Sequence, residues 1–131
     1  MASRFEFDPV NNILMTRLDG DLSDDLAREA DVGMRKHLRE KNPLVHIVDC
    51  SFVEKFSMSA ESIRYLAGRE PALKGVNCRR FFVMPSTMGF GMAMMFQIAG
   101  NPHYDAVTIV HFLAEVFATL AIEPPKFEPL E

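Results

Sequence analysis

The segment Leu44–Cys50 constrains the fold most, because it is apolar on both sides: Leu44, Val48 and Cys50 point one way, Val45 and Ile47 the other. A strand of that kind has to be covered on both faces, which places it centrally in a sheet with helices packed on it. The segments around it supply those helices. Upstream, Leu22, Leu26, Ala30, Met34, His37 and Leu38 recur every three or four residues, with Arg28, Glu29, Arg35, Lys36 and Arg39 turned to water. Ser23 is placed to cap this helix, Asp24 and Asp25 suit its positive end, and Asn42-Pro43 stops it. Downstream, a loop over Ser51–Met58 leads to a helix starting near Ser59 and carrying Ile63, Leu66 and Ala67, closed by Pro71 and Gly75.

The same alternation continues. Arg80–Met84 reads as a strand, and Pro85-Ser86-Thr87 opens a third helix with Met88, Met92, Met95, Phe96 and Ala99 as its packing positions. Gly100-Asn101-Pro102 ends it before a strand over Ala106–His111 and a last helix over Leu113–Ala121. At the other end, Ser3–Asp8 and Ile13–Leu18 form a hairpin around Asp8-Pro9 and Asn11-Asn12, the second strand ending at Asp19-Gly20-Asp21. The order β-β-α-β-α-β-α-β-α predicts an α/β protein with a five-stranded, mixed but mainly parallel sheet and four helices. Residues 1–122 are expected to form one domain. Residues 123–131, with three prolines and no periodicity, make a tail that is extended or disordered.

Composition narrows the function classes. The chain has 131 residues, is 48% hydrophobic and 24% charged, and carries a formal net charge of -4. That suits one well-filled core and a soluble surface, and it disfavours nucleic-acid binding, which needs a basic stripe. Two cysteines, Cys50 and Cys78, cannot build a disulfide framework. Residues 1–10 lack the apolar core of a secretory signal, and the apolar stretch Phe81–Ala99 is too interrupted to cross a membrane. A cytoplasmic setting without membrane insertion is expected.

Several short stretches resemble the STAS domain family (sulphate transporters and anti-sigma factor antagonists), in particular its SpoIIAA-like branch, whose wider fold group includes Sec14-like lipid-binding domains. They are Leu18-Asp19-Gly20-Asp21-Leu22, the strand Val45–Asp49, Phe81–Ser86 and Phe112-Leu113-Ala114-Glu115, together covering roughly residues 12–120. The resemblance implies a non-enzymatic protein-interaction or regulatory module. In that family, the stretch matching Phe56-Ser57-Met58-Ser59-Ala60-Glu61 carries a serine that a partner kinase phosphorylates. Here Ala60 falls at that acceptor position in the simplest alignment, while a one-residue shift brings Ser59 there, with Ser57 and Ser62 close by. Ser57, Ser59, Glu61 and Ser62 are therefore the candidate partner loop, and the usual phosphorylation switch is not expected. On the residues alone, Ser59 is a helix cap.

Other chemistry-bearing residues form no recognisable catalytic pattern. His46 and Cys50 project from the same side of a strand, but no CxxC or HxxxH spacing accompanies them, so no metal is expected. His37 falls on a packing face. Gly89-Phe90-Gly91 lacks the rest of a phosphate-binding loop, and no cofactor is expected. Asp49, at the end of a central strand, is the one residue around which a cleft of unknown enzymatic class is conceivable; an Asp there also commonly fixes a turn.

The methionine-rich helix is the strongest remaining signal. From Met88 to Ile98 it is apolar nearly all round, so its outer face, with Phe90, Gly91, Met94, Gln97 and Ile98, is expected to be covered by another surface. A second copy or another protein is the first candidate. A small apolar, lipid-like ligand is the alternative, on the resemblance to Sec14-like relatives.

Overall fold

The computed structural model describes residues 3–69, 78–100 and 107–130. Among them run β1 (Ser3–Asp8), β2 (Ile13–Leu22), α1 (Asp24–Lys41), β3 (Val45–Phe56), α2 (Ala60–Ala67), β4 (Arg79–Val83), α3 (Thr87–Ala99), β5 (Val107–Val110), α4 (Leu113–Leu120) and β6 (Glu128–Leu130). The sheet order is β5-β4-β3-β2-β1-β6. β2, β3, β4 and β5 are parallel neighbours joined through α1, α2 and α3, while β1 is antiparallel to β2. Pro71, Gly75, Asn101, Pro102 and Ala106 lie outside the described residues.

The helices form where local chemistry supports them. Ser23 Oγ accepts the Leu26 N–H at 3.2 Å, Asp24 and Asp25 sit in the first turn of α1, and Arg39 and Lys41 sit in its last. Asn42, at φ 47, closes the helix by donating its N–H to the Leu38 carbonyl. Leu26, Ala30 and His37 face inward, as the spacing predicts, and Ala27 is buried with them. His37 packs on Phe5 of β1, with ring centroids 4.8 Å apart.

Two apolar layers sandwich the sheet. On one face Leu18, Val48, Phe82 and Val107 meet Leu26 and Ala30 of α1 and Ala93 of α3. On the other, Ile13, Met15, Val45, Ile47, Phe81 and Val83 meet Val116 of α4, with Ile122 and Phe127 packed beside it. Of the run Leu44–Cys50, Val45–Cys50 is buried throughout, which is the condition its two apolar sides demand, whereas Leu44 precedes the strand and is 58% exposed.

Three expectations need correction. The sheet has six strands rather than five, because residues 128–130 of the proline-rich tail pair antiparallel with β1. Pro129 pairs with Glu6 and has no N–H, so the ladder runs through Phe5↔Leu130 and Phe7↔Glu128, and the proline faces the outer edge. Second, β3 does not end at Cys50; it continues to Phe56, leaving Ser57–Ser59 as the link to α2. Third, β2 does not stop at Leu18. Two register shifts and Gly20 at φ +75 keep Asp19–Leu22 paired with Phe52–Phe56 beyond the helix-covered sheet.

Candidate functional site: the α2 entrance and the exposed face of α3

Parallel strands deliver their carboxyl ends to one edge of the fold, and there β3 turns into α2. The turn is tied to the strand–helix junction before α1. The Ser57 N–H donates to the Leu22 carbonyl at 3.0 Å, and the Ser57 hydroxyl donates to Asp21 Oδ1 at 2.5 Å. The Ser59 N–H donates to Asp24 Oδ1 at 2.7 Å, while Ser59 Oγ accepts the Ser62 N–H at 3.1 Å. The Ser59 backbone N–H holds the Asp24 carboxyl below its usual range, with the Ser59 and Ser62 hydroxyls adding to the effect. Glu61 is exposed in the first turn of α2. Ser59 is thus a helix cap, its own hydroxyl holding the Ser62 N–H while the Asp24 carboxylate holds its backbone N–H.

Beside this turn runs α3, whose cap is Ser86, with Oγ accepting the Gly89 N–H at 3.0 Å. Gly89 faces inward against the Phe56 ring; a Cβ there would lie 2.6 Å from Phe56 Cζ. Gly89 and Ala93, small residues four apart, mark the side that approaches the sheet closely. The opposite side is open. Met88 is 68% exposed, Ile98 80%, and Met94 and Met95 45% each, while nothing lies within 4 Å of a Cβ built on Gly91. Met88, Gly91, Met95 and Ile98, spaced three, four and three, form one stripe along a helix with no charged residue.

Two residues of the expected outer face are engaged within the chain. Phe90 is half-buried and stacks on His111, with centroids 4.6 Å apart and planes 15° apart. Gln97 uses its Nε2 to donate to the Val107 carbonyl at 2.6 Å, tying α3 to edge strand β5. Conversely, Met88 and Met95, expected to pack inward, are exposed, and Phe112 adds an exposed ring beside His111. The inward pair Gly89 and Ala93 is the signal that identifies the outer stripe.

The remaining candidates lie in the sheet and its core. Asp49 is not at a strand end: it sits within β3, 1% exposed, with Oδ2 2.7 Å from Arg17 Nη1 and Oδ1 accepting the Ser51 N–H and hydroxyl. Arg17 also donates to Glu6 at 2.9 Å. His46 is fully buried, its Nε2 3.0 Å from Thr16 Oγ1; burial, then Arg80, pulls its pKa well down. Cys50 lies in the core, where burial and then Asp49 push its thiol up to about 12. Among the described residues, no three His, Cys, Asp or Glu side chains gather as a metal ion needs, and no helix is long and apolar enough to cross a membrane.

No family model and no curated protein matches the chain. Its fold does match solved structures, among them the anti-sigma factor antagonist SpoIIAA in its unphosphorylated form, at 17% identity and a TM-score of 0.61. That match covers 92% of this chain and 97% of the other. The order of strands and helices and the likeness over nearly the whole length lead to one conclusion: the protein has the SpoIIAA-like fold of STAS domains.

Proposed function

We propose that this protein is a non-enzymatic, cytoplasmic regulatory module that works by docking another protein chain, a second copy of itself being the first candidate. The observation that carries this is the open stripe Met88, Gly91, Met95 and Ile98 on an uncharged helix. A monomer gains nothing by holding that surface in water, and adaptable methionines with depleted charge suit an interface core. The fold, shared with an anti-sigma factor antagonist, supports a regulatory role.

In this reading Ser57, Ser59, Glu61 and Ser62 form a rim held in one conformation rather than a switch. A phosphate on Ser57 or Ser59 would stand against Asp21 and Asp24 and would break the bonds that hold the turn. Asp49 supplies no free acid or base, since Arg17 and Ser51 occupy it.

A photo-crosslinking residue placed at Met95 in the intact protein, inside its host, tests the proposal. The expected result is a protein adduct, either a dimer of this chain or one defined partner, absent when the same group replaces exposed Lys36 on α1. Adducts to lipid alone, or the same adducts from both positions, would overturn it in favour of an apolar ligand or of no interface there.

A further inference from the structure

The edge of the sheet at β1 carries a second inference, independent of α3. α4 ends at Ala121 in the left-handed conformation, φ 55, and the chain then continues as an arm through Pro124 and Pro125 to β6. Ile122 and Phe127 pack on the cluster formed by Ile13, Ile47 and Phe81, while Glu123, Pro124, Lys126, Glu128 and Pro129 are exposed. Beyond that packing, β6 holds β1 among the described residues through three register pairs, one of them at Pro129. A three-residue strand with a proline at its centre is the kind of element that opens locally, well before the whole fold unfolds.

When the arm lifts, β1 becomes a bare edge of six residues beside an unfilled apolar socket. Such an edge is a template for an extended segment. Pro124 and Pro125 keep the released arm extended, so that it reaches outward instead of collapsing. The socket that received Phe127 is matched by the same residue on another copy, and exchanging identical arms between two copies recreates every contact. We propose that the outer edge of β1 is a strand-addition site, filled in cis by the chain's own arm and in trans by residues 122–130 of a second copy.

Cysteine trapping reads this directly. Glu6 and Pro129 face each other between the hydrogen-bonded pairs, where Cα atoms lie about 4.5 Å apart, within disulfide range. On a Cys78→Ser background, a chain carrying both Glu6→Cys and Pro129→Cys should close an internal disulfide. An equimolar mixture of the two single variants, folded and concentrated, should give a disulfide heterodimer about tenfold more abundantly than Glu6→Cys mixed with Lys126→Cys, which is out of register. The heterodimer should persist when Ile98→Glu is added, which separates this site from α3. Failure of the internal disulfide, or a mixture no better than the out-of-register control, would overturn the proposal.

Discussion

Thr16 Oγ1 and His46 Nε2 lie 3.0 Å apart between β2 and β3, with both side chains fully buried. Burial, and then the charge of Arg80, keeps His46 neutral far below the ordinary value of 6.5. The unfolded chain binds that proton at about pH 6.5, whereas the folded chain refuses it, so stability falls as pH drops below about 6.5. His37, lowered mainly by burial, acts in the same direction. Urea unfolding at pH 7.5 and 5 should differ by about 1–2 kcal/mol. His46→Gln, which stays neutral and keeps a polar partner for Thr16, should remove a large part of that difference. An unchanged pH dependence would contradict this role.

Arg17 is the counter-ion of a carboxylate that water barely reaches. Arg17→Met should cost about 3–5 kcal/mol, because it leaves Asp49 charged and buried, whereas combining it with Asp49→Asn should recover much of the loss. A denaturant-based double-mutant cycle measures this. A loss below about 1 kcal/mol for Arg17→Met would mean that the pair contributes little.

The two glycines within α3 should respond oppositely. Gly89→Ala drives a methyl group into the Phe56 ring and should destabilise by about 1–3 kcal/mol. Gly91→Ala meets nothing within 4 Å and should stabilise by about 1 kcal/mol through helix propensity alone. Thermal melts of the two variants check the contrast.

Thiol reactivity should be one-sided. Cys50, pushed up to about 12 and buried, should resist a disulfide reagent at pH 8 until the protein unfolds, while partly exposed Cys78 reacts in the folded state. Equal labelling of both in native buffer would contradict the burial of Cys50.

The readable and unreadable parts of this fold separate by the range of the forces involved. α1 is readable from end to end because Ser23, the Leu26–Ala30–His37 face and Asn42 are local signals. The buried Val45–Cys50 run likewise implies a central parallel strand. β6 is not readable: a segment with Pro129 at its centre has no strand propensity, and it pairs only because β1, more than a hundred residues earlier, offers a free edge. The continuation of β3 is hidden for a related reason. Ser51, Phe52, Glu54 and Lys55 are exposed, and of these Phe52 and Lys55 pair with a β2 extension that Gly20 makes possible. At the candidate site, the Ser59 cap follows from local spacing, but the bond from Ser57 to Asp21 joins residues 36 apart and leaves no sequence trace. The outer stripe of α3 is half-readable, since apolarity all round that helix conceals which methionines face the sheet.

Sedimentation velocity over a concentration series, comparing the wild-type chain with Ile98→Glu, puts the greasy side of α3 to its most direct trial. A rapidly reversible dimer, or a complex with the partner trapped at Met95, that the charge abolishes while circular dichroism and any arm-exchanged dimer through β1 stay unchanged is the expected outcome. A wild-type chain that sediments as a lone monomer at every concentration, and binds any trapped partner no better than the Ile98→Glu variant does, would contradict it.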